Sequence, residues 1–132
     1  MSTYVIHYDE VPKSLNAGGA GSRRHWSVAN REKKRWEGIW LMLMLAKKIP
    51  RGMERCEIGV WLAFALPRRR DVENFRPAFN KPFADMLVKG GYIPDDTAEF
   101  FNLASIEICP EKLQHAHPLV KGRTTIKIEA DY

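Results

Sequence analysis

Apolar and polar positions along the chain change period several times, and each change marks an element. Thr3 to Tyr8 is a short run rich in β-branched and aromatic residues and predicts a first strand. From Ser27 to Lys48 the period becomes helical. Trp36, Ile39, Trp40 and Leu43 share one face, Ser27 stands where a capping residue belongs, and Pro50 and Gly52 end the element. Glu57 to Phe64 alternates, with Ile58, Val60, Leu62 and Phe64 on one face and Glu57, Gly59, Trp61 and Ala63 on the other. So little charge on either face predicts a strand buried largely on both sides. In the stretch FNKPFADMLVKGG, Phe79, Phe83, Met86 and Leu87 form a helical stripe. Pro82 suits a first turn, and Gly90 and Gly91 are a strong stop. YIPDDTAEF is a turn. Phe100 to Cys109 reads as a third strand. Thr124 to Ala130 alternates as a last one, with Ile126 and Ile128 inward and Lys127 and Glu129 outward.

The order β-α-β-α-β-β predicts a mixed α+β domain (α/β in the broad sense). It would be a mixed sheet of about four strands with two main helices covering it. A chain of 132 residues fits one domain across its whole length, 1–132. Between the first strand and the first helix lies VPKSLNAGGAGSRRHW, a long loop for so small a domain, and it carries Arg23 and Arg24.

Hydrophobic content of 45% and charged content of 28% describe a globular chain. The net charge of +5 favours a polyanionic partner without saying which. Arg31, Lys33, Lys34 and Arg35 crowd the first half of the first helix, where they oppose its macrodipole. A phosphate-facing role and a solvated face explain them equally well. The two cysteines, Cys56 and Cys109, lie far apart in apolar stretches and read as buried free thiols of a reducing compartment. His115 and His117 have no partner ligands nearby in sequence and read as loop residues. The N-terminal stretch lacks the pattern of a signal peptide. The longest apolar run, residues 39–46, is too short to span a bilayer, so the expectation is a cytoplasmic protein with no membrane contact.

The densest positive charge, Arg68-Arg69-Arg70, runs straight into Asp71-Val72-Glu73-Asn74 just past a predicted strand end. Asp95 and Asp96 follow the second predicted helix. A strand-helix-turn excursion can bring its two ends together, and carboxylates gathered there would raise one another's pKa. Mg²⁺ resolves that conflict, since it prefers hard oxygen ligands and takes carboxylates together with phosphates. Arginines beside such a cluster would dock phosphates, and Lys81 could stabilise charge on a phosphorane or protonate a leaving oxygen. The same short motifs also serve plain turns: Asp71 can cap one and Asp95 can begin one.

The segment RRRDVENFRPAFNKPFADMLVKGGYIPDD resembles the RusA family of phage and prophage Holliday-junction resolvases. The family core is Asp-x-Asp-Asn, then Lys-Pro-x-x-Asp-Ala-Leu, then a glycine-containing stretch leading to Asp-Asp. The matching residues here are Asp71-Val72-Glu73-Asn74, Lys81-Pro82-Phe83-Ala84-Asp85-Met86-Leu87, Gly91 and Asp95-Asp96. Pro12, Ser14 and Asn16 resemble the family's Pro-x-Ser-x-Asn after its first strand. The resemblance implies a homodimeric, Mg²⁺-dependent endonuclease (Mn²⁺ substituting) that cuts four-way DNA junctions. Asp71, Glu73 and Asp96 would be catalytic metal ligands, with Asp95 beside them, and Lys81 the catalytic lysine. Arg23, Arg24, Arg68, Arg69, Arg70, Asn74, Arg76 and Lys81 would meet DNA. Two departures stand out. Glu73 replaces the usual Asp, and the spacing from Asn74 to Lys81 is about four residues longer than the family pattern. Arg76 lies nearer the expected lysine position, but Pro82 and Asp85 follow Lys81 in register. The alternatives are a catalytically weak or inactive branched-DNA-binding protein of the same fold, and a basic protein that meets RNA or a protein partner.

Overall fold

The computed structural model describes residues 1–13, 25–66, 69–109 and 121–132. Its elements are β1 (Ser2–Tyr8), α1 (His25–Ala46), β2 (Arg55–Phe64), a 3-10 turn (Val72–Phe75), α2 (Arg76–Lys89), β3 (Phe101–Ile108) and β4 (Gly122–Asp131). This is the expected β-α-β-α-β-β order, a small α+β domain. The four strands form one mixed sheet in the order β1-β4-β2-β3. β4 pairs antiparallel with both β1 and β2, and β3 runs parallel to β2. The parallel pairing follows from the connection between them: the chain crosses back through the 3-10 turn and α2.

Alternation sorts the strands into two faces. Cys56, Ile58, Val60 and Leu62 of β2 and Thr124, Ile126, Ile128 and Ala130 of β4 are buried on the side that carries the core. Trp40 and Met44 of α1, and Phe79, Phe83, Met86 and Leu87 of α2, complete that core. Aromatic rings tie its layers together. Trp40 lies 5.8 Å from Phe79 and 6.0 Å from Phe83, and Phe83 lies 6.3 Å from Phe101. The other face of β2 is only half-buried at Glu57, Gly59, Trp61 and Ala63, which corrects the expectation of a strand buried on both sides. Both helices lie on one side, so the apolar content of that second face does not mean burial.

The helix termini also differ from the sequence pattern. Ser27 is the third residue of α1, inside the helix rather than before it. The C-terminus of α1 is set by Lys48 at φ 56, with Lys48 N–H donating to Leu45 O and Ile49 N–H to Met44 O. That is a Schellman ending with lysine in the left-handed position glycine usually takes. α2 begins at Arg76, earlier than expected, because the 3-10 turn feeds directly into it. Pro77 supplies the tolerated first-turn proline, while Pro82 sits inside the helix, where its missing N–H forfeits the bond to residue 78. The far end of α2 follows the pattern: Gly91, at φ 77, and Tyr92 donate to Val88 O and Leu87 O. Tyr92 and Leu87 are both fully buried.

A candidate acidic site around the second helix

The described members of the predicted site lie at two ends of the excursion from β2 to β3. At its entrance the Asp71 side chain caps the 3-10 turn, accepting the Glu73 N–H at 3.1 Å, while Asp71 O accepts the Asn74 N–H at 3.1 Å. Asp71 and Glu73 are exposed and Asn74 is half-buried. Phe75 turns inward against Phe64, with ring centroids 5.8 Å apart, and anchors the turn to the end of β2. The Glu73 carboxylate is held by Arg76 Nε at 2.9 Å, and Arg76 also donates to Leu103 O of β3.

At the exit, the Schellman turn sends the chain back along α2. Asp95 Oδ1 accepts the Asp96 N–H at 2.8 Å, the turn chemistry its position suggested. Asp96 Oδ2 accepts from Lys81 Nζ at 3.0 Å. Lys81 therefore reaches the acidic turn, and Arg76 instead serves Glu73 and β3. Lys81 follows Arg76 by five residues, about 7.5 Å along the axis of α2, and so stands away from the entrance acids.

The Lys81 hydrogen bond holds the Asp96 carboxyl below its ordinary range, and Asp96 and then Asp85 push the Lys81 ammonium up. The expected mutual raising of carboxylate pKa values is reversed at Asp96, because its nearest partner is a cation. Among the described residues no three His, Cys, Asp or Glu side chains gather closely enough to hold a metal ion. The donor set still suits a hard divalent cation, since every candidate ligand is a carboxylate oxygen. Asp71 and Asp95 each keep one oxygen without a partner among the described residues. The pairs that engage Glu73 and Asp96 are exposed, and such pairs are held weakly.

The arginine run divides. Arg23, Arg24 and Arg68 lie outside the described residues. Arg69 is exposed, and Arg70 folds back, donating to Leu66 O with its guanidinium 3.7 Å from the Phe64 ring centroid. Two of the four basic residues early in α1 are engaged within the protein. Arg35 grips Glu10 through two nitrogens at 2.7 and 2.9 Å, and Lys33 pairs with Asp85 at 2.7 Å. Arg31 and Lys34 have no hydrogen bond or ion pair among the described residues. Sequence reading missed the partnership of Lys33 with Asp85. The one signal for it was that both residues fall on the flanks of their helices' apolar stripes. No family model matches the chain, and no curated protein matches it.

Proposed function

We propose that the protein is a metal-dependent, structure-specific endodeoxyribonuclease that resolves four-way DNA junctions, in recombination and repair, as the RusA-like residues imply. The observation that carries the reading is the Lys81–Asp96 pair at 3.0 Å. Despite the longer spacing, the lysine that the motif register selects stands against the acidic turn that the same register selects. Asp71, Glu73 and Asp96, with Asp95 adjacent, would hold Mg²⁺ or Mn²⁺. When bound, the metal supplies Lewis acidity and an activated water for phosphodiester hydrolysis. The protein's own residues then divide the remaining work. Lys81, an ammonium at neutral pH like any ordinary lysine and held against two carboxylates, stabilises negative charge at the phosphorus or leaving oxygen and is unsuited to act as a base. Arg69, Arg70, Arg76 and Asn74 flank the entrance and position phosphates.

The half-buried sheet face sets Arg55, Arg123 and Lys127 against Glu57, Glu107, Glu129 and Asp131, three cations to four acids, so it offers DNA no net positive charge. A two-fold homodimer would present two related sites to the two opposed strands. Among the described residues no helix is long and apolar enough to cross a membrane. A cytoplasmic location, in a bacterial host if phage-encoded, goes with this reading.

The test is cleavage of a labelled mobile four-way junction, with and without Mg²⁺ or Mn²⁺, beside a linear duplex. Paired metal-dependent nicks are expected, and Asp71→Asn and Asp96→Asn each lower the rate by roughly a hundredfold or more while junction binding is kept. An Asp71→Asn protein that cuts at the normal rate sinks the metal-site assignment. Tight junction binding with no nicks in either metal favours the inactive branched-DNA binder instead.

A further inference from the structure

Side chains of alternating charge run along the seam between α1 and α2 and end at Asp96. Lys89 Nζ donates to Glu37 Oε2 at 2.9 Å, and Glu37 Oε1 lies 3.7 Å from Lys33 Nζ. Lys33 Nζ stands 2.7 Å from Asp85 Oδ2, and Asp85 Oδ1 stands 3.5 Å from Lys81 Nζ. Lys81 then donates to Asp96. The Lys81 side chain is 64% exposed, and a lysine so exposed samples many rotamers unless something holds its head. Asp85, one turn further along α2, is 17% exposed and has both oxygens committed, one to each lysine.

We propose that Asp85, anchored by Lys33 of the facing helix, is a positioning residue that holds the Lys81 ammonium over Asp96. A carboxylate that merely stapled two helices would need only Lys33. Asp85 instead divides itself between the seam and the site. Its consequence for cutting rests on the nuclease reading; the placement of Lys81 does not.

The test uses the full chain with Asp85→Asn, Asp85→Glu and the exchange Lys33→Asp with Asp85→Lys. Three quantities are measured: the order of the Lys81 side chain by ¹³C relaxation of its ε-methylene (assigned with Lys81→Arg), metal-dependent junction cutting, and thermal unfolding. Asp85→Asn removes the charge that holds the ammonium, so the Lys81 side chain becomes more mobile and cutting slows by about tenfold. Asp85→Glu keeps both near the wild-type values. The exchange restores the pair between helices, although the new carboxylate at position 33 then lies beside Glu37, and it sets an ammonium beside Lys81. Lys81 therefore stays mobile and cutting is not rescued. An exchange that restores Lys81 order and cutting overturns the proposal, because Asp85 is then only a staple. So does unchanged Lys81 order in Asp85→Asn. If the exchanged protein does not fold, the contrast between Asn and Glu at position 85 decides alone. A wild-type protein that cuts no junction removes the nuclease reading, yet the order of the Lys81 side chain still decides whether Asp85 holds the lysine.

Discussion

Gly91→Ala is the most direct probe of the turn that returns Asp95 and Asp96 toward Lys81. Gly91 sits at φ 77, in the left-handed region, and donates the bond to Val88 O that closes α2. The methyl group itself has room, since the nearest atom to an ideal Cβ is Arg51 Cδ at 3.7 Å. The penalty is therefore one of backbone conformation, about 1–2 kcal/mol. Gly38→Ala is the matched control. It lies inside α1, a Cβ there meets nothing within 4 Å, and replacing a helix-interior glycine stabilises by about 1 kcal/mol. Both changes remove the same glycine freedom from the unfolded chain, so their difference of about 2–3 kcal/mol reports the folded geometry. For a chain of 132 residues each kcal/mol moves the Tm by about 4 °C. Urea unfolding of the three proteins, with thermal unfolding alongside, measures the gap. Equal signs for the two variants, or a Gly91→Ala protein as stable as the wild type, would refute the left-handed turn.

Lys48→Gly is expected to stabilise by about 0.5–1 kcal/mol in the same urea assay, because it relieves a left-handed lysine at the end of α1. Burial pushes the Cys56 thiol up to about 12 from 9.0, three pH units, so its thiolate fraction near pH 8 is about a thousandfold below that of an ordinary thiol. A thiol reagent at that pH should label Cys56 only on unfolding, and labelling of the native Cys109→Ser protein at an ordinary rate contradicts the buried placement.

How much was legible in the sequence follows from which interactions are local. Strand alternation and helical stripes are local, and they marked Ile126 and Ile128 of β4 and Phe79, Phe83, Met86 and Leu87 of α2 correctly as core. The Gly90-Gly91 stop is local too, as is the turn chemistry of Asp71 and Asp95. Charge is less legible. Arg35, Lys33 and Arg70 looked like free cations in sequence, yet their partners Glu10, Asp85 and the Phe64 ring come from other elements or across a turn. Whether a cation faces solvent, a phosphate or an internal carboxylate depends on what packs beside it.

Periodicity and turn residues act within a few positions of themselves, so the element order and the inward faces of β4 and α2 were legible in the sequence. Packing between distant elements decides that β4 inserts between β1 and β2, and that both helices share one side, with the Trp61 face of the sheet half-buried. It alone decides that Lys81 meets Asp96 while Arg76 takes Glu73. Those outcomes depend on pairings between residues far apart in the chain, and such pairings are selected by packing and charge complementarity across the whole core rather than by any local pattern.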